Sequence, residues 1–241
     1  MSTINIFIQI QLHMYNIEKI GIIGKRRSGR KTAAWLLAEI LEGIHNGYSK
    51  EKIEADFKRN VEDVIKYPDS AQSTYNYILE SFGGYILDTI RGLFGTLREY
   101  PLESTTWCKE HYININTFEV FDKREDHCTT VEQFIIRFAD NIMKGYYGEN
   151  FWLYSLEHNQ IPTYSTRIFW DVKTDAEVDY CEYIIHLICP GRETDGGYRK
   201  LSKTESDFVI DTREGLMESF EQFWNVADKL IEINEQKREK E

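Results

Sequence analysis

The stretch from Tyr15 to Ile44 constrains the fold of this chain most. "YNIEKIGIIG" contains an apolar run, Ile17 to Ile23, that reads as a buried strand and leads straight into "GKRRSGRKT", Gly24 to Thr32. Beyond it, Ala33, Leu36, Leu37, Ile40, Leu41 and Ile44 recur at helical spacing until "HNGYS" closes the helix. Strand, glycine loop and helix in that order frame a phosphate-binding loop, G-x-x-x-x-G-K-[ST], whose glycines let backbone N–H groups turn inward around phosphate oxygens. Gly24 and Gly29 have the required separation, but Arg30 stands where the lysine belongs and the lysine comes one residue late, at Lys31. Sliding the frame to make Lys31 and Thr32 the K-T pair would put side chains where the loop needs glycines, so the first register is preferred.

The charge around the loop runs against that of the whole chain. Five cations (Lys25, Arg26, Arg27, Arg30, Lys31) cluster there although the net charge is −11. An acidic chain does not suit general nucleic-acid binding, which depends on neutralising many phosphates. A small phosphorylated ligand needs only a local basic site; a solvated surface cluster is the plainer alternative. No run approaches the roughly 20 apolar residues of a membrane-spanning helix, and the start lacks the features of a signal peptide, so the expectation is no membrane and a cytoplasmic location. Cys108, Cys128, Cys181 and Cys189 show no C-x-x-C spacing and read as free buried thiols.

Residues 1–13 include "INIFIQIQL", which alternates like a strand or an arm and is treated as an extension. The segment "SKEKIEADFKRNVEDVIKY" reads as a helix ended by Pro68, and Ile78, Phe82, Ile86, Ile90 and Leu93 mark another. Residues 100–128, with "YININTFEVFDK", are expected to form a hairpin-like insertion that projects from the core. Val131, Phe134, Ile135, Phe138 and Ile142 restore the helical period. "RIFW" (167–170), "YIIHLIC" (183–189) and "DFVID" (207–211) read as buried parallel strands, and Arg213 to about Lys237 as a terminal helix with residues 236–241 as an exposed tail. The expected fold is α/β, one domain over 14–235 with a mainly parallel central sheet and helices on both faces. His186, on an apolar strand, reads as a core histidine.

These patterns, in this order, resemble the deoxynucleoside monophosphate kinases of bacteriophages, a branch of the P-loop nucleoside monophosphate kinases. The resemblance is carried by "GIIGKRRSGRKTAA", "SFGGYILDTIRGLFG", "TVEQFIIRFADNIMKGYYGENFWL", "DVKTDAE", "IIHLICPGR" and "DFVIDTREGL". It implies a P-loop kinase fold in which Gly24, Lys25, Arg26, Arg27, Ser28, Gly29, Arg30, Lys31 and Thr32 surround the donor phosphates of ATP. Thr32 and Asp171 are then the candidates for holding Mg²⁺, and Arg30, Asp171 and Lys173 the catalytic candidates. The family's D-x-R-x-x-x-E motif reads Asp171, Lys173 and Glu177, with lysine for arginine; its helix arginine, glutamine and glycine read Glu132 or Gln133, Ile136 and Ala139. Its Arg-Pro-Gly turn reads Cys189-Pro190-Gly191, with Arg192 just beyond. Residues 191–203, rich in glycine and cations, read as a lid or as an ordinary loop.

The function implied is ATP-dependent phosphorylation of a (deoxy)nucleoside monophosphate to the diphosphate, in the host cytoplasm if a phage encodes it. The alternative is a catalytically degenerate nucleotide-binding, structural or regulatory phage protein. A homodimer is left open.

Overall fold

Four of the five strands of the main sheet come from short, mostly apolar runs, as strands largely covered by other elements require. The computed structural model describes residues 19–24, 28–67, 73–74, 76–145, 148, 153, 156, 165–189 and 206–239. Lys25, Arg26, Arg27, Arg192, the extension 1–13 and the lid-like segment 191–203 lie outside them. The chain divides into two compact units, residues 1–80 with 161–241, and residues 81–160.

The first unit holds a five-stranded, all-parallel sheet. Its strands are β1 (Lys19–Gly24), β2 (Tyr77–Glu80), β6 (Thr166–Phe169), β7 (Tyr183–Ile188) and β8 (Phe208–Asp211), in the order β2-β6-β1-β7-β8. Ile20 and Ile22 of β1, Ile168, Ile185, Leu187 and Ile210 form one buried layer. Against it pack α1 (Arg30–His45), α2 (Lys50–Lys66) and α7 (Phe220–Arg238). The alternate residues of β1 face the other way: a methyl group on Gly21 would meet Cys181 Sγ, Ile184 and Val172, so this side is closed by the segment around the short helix α6 (Asp175–Tyr180).

β2 departs from the sequence reading, which placed Ile78 on a helix. Tyr77–Glu80 pairs instead with β6, and helix α3 (Phe82–Leu93) begins after Ser81, whose hydroxyl accepts from Gly84 N at 3.0 Å. Four residues are too short to show a period of two, and Ile78 happens to continue the helical stripe that starts at Phe82. The terminal helix likewise begins seven residues later than Arg213. The Asp211 carboxylate accepts from the Arg213 N–H at 3.0 Å and Gly215 N–H donates to the Thr212 carbonyl at 3.0 Å, which commits 211–215 to turns.

The second unit builds its own core. It contains α3, α4 (Thr105–Glu110), α5 (Val131–Arg137), a π-helical continuation over Phe138–Lys144, and an antiparallel sheet of β3 (Tyr112–Asn114), β4 (Val120–Phe121) and β5 (Cys128–Thr130) in the order β4-β3-β5. The hairpin-like region is thus a small sheet of its own, with no strand in the five-stranded one. Ile90, Leu97, Ile113, Val131 and Phe134 are buried there, and Phe94 gathers Phe118, Phe134 and Phe138 within 4.4–5.7 Å.

Candidate functional site

In an open parallel sheet, ligands bind beyond the carboxyl ends of the strands where the connections part in opposite directions. That place is the end of β1. The chain leaves β1 for β2 at one edge, returns to β6, then crosses to β7 and on to β8 at the other edge. The glycine loop follows β1 directly, and Asp171 and Lys173 follow β6, its neighbour in the sheet.

Gly24 is required by contact. A methyl group there would lie 2.8 Å from the Leu187 carbonyl oxygen on β7 and 3.0 Å from Ser28 Oγ, and a backbone neighbour cannot swing aside. Gly24→Ala is expected to cost about 1–3 kcal/mol, the usual range for overpacking, read as a lower midpoint in urea. Gly29 is required by conformation: at φ 81° it turns the chain into α1 and leaves open space around its Cα.

The start of α1 breaks three local rules at once. Gly29 offers no side chain to cap the helix, so the first N–H groups lack the partner that an N-cap residue would supply. The first turn has no acidic residue and opens with Arg30 and Lys31, cations at the positive end of the helix dipole. Ser28 is 5% exposed, yet among the described residues its hydroxyl has no hydrogen-bond partner. Buried hydroxyls are nearly always satisfied. All three departures would be relieved by one anion at this helix terminus.

The remaining site residues fall into two groups. Lys31 is exposed and Thr32 half-buried in the first turn, which is regular, Ala33 N–H donating to the Gly29 carbonyl at 2.8 Å. Arg30 turns toward β6: its Nη1 donates to the Val172 carbonyl at 3.4 Å, across 142 positions of sequence. Asp171 is 2% exposed and Lys173 Nζ lies 3.3 Å from its Oδ2, with the lysine side chain 53% exposed. Arg30, Asp171 and Lys173 therefore meet at one turn.

Glu177 holds that turn from behind. Its Oε2 accepts from Lys173 N at 2.6 Å and Thr174 N at 3.0 Å, while Thr174 Oγ1 accepts from Glu177 N, a capping box at the start of α6. Burial pushes the Glu177 carboxyl up, and the nearby Asp171 adds to this against the two N–H donors. The box was readable as T-x-x-E in the sequence. The partner of Arg30 was not, because a backbone carbonyl has no sequence signature.

The helix positions of the resemblance, Glu132, Gln133, Ile136 and Ala139, lie in the second unit, where Ala139 is buried and Gln133 and Ile136 are exposed. All four cysteines are free; Cys108 is buried, while Cys128, Cys181 and Cys189 are only partly so. His186 is half-buried on β7, and the loss of water around it lowers its pKa. No helix among the described residues is long and apolar enough to cross a membrane.

The donor set for a metal is small. Among the described residues no three His, Cys, Asp or Glu side chains converge on a metal position, but Mg²⁺ bound to a nucleotide takes most ligands from phosphate and water and few from protein. Thr32 and Asp171 fit that pattern by type and by element. Comparison of the chain with models of known protein families, with curated proteins and with solved structures returns no match.

Proposed function

We propose that the chain is an ATP-dependent phosphotransferase acting on a small phosphorylated acceptor, a (deoxy)nucleoside monophosphate in the reading its sequence resemblance favours. The observation that carries this is the uncapped, cationic start of α1, with the buried Ser28 hydroxyl that has no hydrogen-bond partner among the described residues, near the turn after the adjacent strand that holds the buried Asp171. Phosphoryl transfer asks a protein mainly for charge neutralisation and alignment, and these residues offer both. Backbone N–H groups at the helix start and the Ser28 hydroxyl would bind donor phosphates. Thr32 and Asp171 would hold Mg²⁺, which neutralises charge on the phosphoryl oxygens.

A second reading is favoured by one contact. The Arg30 guanidinium is engaged by the Val172 carbonyl, and a loop cation tied to a neighbouring strand suits a nucleotide-binding relic as well as an enzyme. A panel of deoxy- and ribonucleoside monophosphates with ATP and Mg²⁺, coupled to ADP detection, separates the two. Turnover with at least one acceptor is expected; ATP binding without turnover on any of them selects the relic, a structural or regulatory nucleotide binder.

A further inference from the structure

The residue at the lysine position of the loop and the residue able to do the lysine's work are different here. A donor-loop lysine follows the terminal phosphate as a compact ammonium on a flexible stem, with three donors it can redirect. Arg30 has a planar fork, and one arm of it is spent on the Val172 carbonyl. That contact makes Arg30 a strut between the loop after β1 and the turn after β6.

Lys173 has the opposite character. Its backbone is fixed, with its N–H held by Glu177 at 2.6 Å and the preceding Val172 fully buried. Its side chain is more than half exposed, and the 3.3 Å contact with Asp171 keeps an ammonium beside a buried carboxylate on the turn that Arg30 reaches. The lysine is the exposed member of that pair and Asp171 the buried one, so a phosphate can approach the ammonium from the solvent side while Asp171 stays beside it.

We infer that Lys173 supplies the ammonium for the terminal phosphate of the donor, and that Arg30 is a positioning residue that ties the loop to the Asp171–Lys173 turn. This rests on the donor-loop reading above. It differs from the role the resemblance implies for this position, which is binding of the acceptor's phosphate.

The test compares a triphosphate with a diphosphate. Calorimetric titration of the whole chain with a non-hydrolysable ATP analogue and with ADP, both with Mg²⁺, gives the preference for the third phosphate. Lys173→Ala is expected to weaken the triphosphate roughly tenfold, the order of one charge-assisted contact, and to leave ADP within about twofold. Arg30→Ala is expected to weaken both nucleotides by similar factors. Lys173→Ala takes the ammonium from beside a buried carboxylate, so a thermal scan accompanies the titration, and the two nucleotides are compared on the same folded variant. An unchanged triphosphate preference in Lys173→Ala, with a raised KM for the acceptor alone, overturns the inference and returns Lys173 to the acceptor. Loss of that preference in Arg30→Ala overturns it in favour of Arg30. If the parent chain binds neither nucleotide, the donor-loop reading itself falls, and this assignment with it.

Discussion

Asp171→Asn is expected to lower turnover about 10²–10³-fold, the scale seen when one preorganised electrostatic contact is removed from a phosphoryl or acyl transfer site, while the fold survives. The substitution keeps the shape of a side chain that is 3% exposed and removes only its charge. Two consequences follow from that one change. In the proposed function the Mg²⁺ position would lose its anionic ligand, and Lys173 would lose the carboxylate that keeps it at the turn. The loss should therefore appear mostly in kcat and be partly recovered at higher Mg²⁺. An Asp171→Asn protein with unchanged turnover at limiting Mg²⁺ would remove Asp171 from the site.

The largest stability effect is expected at a pair away from the loop. Arg167 Nη2 and Nε lie 2.6 and 2.7 Å from Glu80 Oε2, and the two side chains are only 10% and 8% exposed. Arg167 also reaches the Tyr180 hydroxyl at 3.4 Å and lies over the Phe169 ring. Glu80→Ala removes a carboxylate paired with a buried guanidinium, and breaking a buried pair typically costs about 3–5 kcal/mol. A chain of this length loses about 2–4 °C in Tm per kcal/mol, so a fall of roughly 10 °C is expected. Replacing both partners, Glu80→Leu with Arg167→Met, should recover most of the loss, since an apolar pair of similar volume carries no desolvation cost. A single variant that melts with the parent would show that the pair is not the clamp between β2 and β6.

The sequence was most legible where burial dictates composition. β1, β6, β7 and β8 stand out because strands largely covered by other elements are mostly apolar, and α1 and α2 because their apolar residues recur at helical spacing. β2 was hidden by its length and by the accident that Ile78 keeps step with α3. The start of α7 was hidden because the hydrogen bonds that hold 211–215 as turns belong to Asp211 and Thr212, which also suit a helix start. At the site, the glycines and cations could be read from spacing, and Thr32 only from the register of the resemblance. Two features could not: the direction of Arg30, whose partner is a distant backbone oxygen, and the Glu80–Arg167 pair, whose only trace is a charged residue at the end of "YILE" and the start of "RIFW".

The position of β1 also sets an order of events at the ribosome. Its two neighbours in the sheet, β6 and β7, are the strands beginning at Thr166 and Tyr183, so the first strand is made about 140 residues before it can pair. At ordinary rates of synthesis the apolar segment and its cationic loop wait on the order of ten seconds without a sheet, while the second unit, whose contacts are local, can already fold. A nascent chain arrested before Thr166 should thus expose β1 to proteases and chaperones and lack the proposed nucleotide site altogether, and release of the last third of the chain should close both at once.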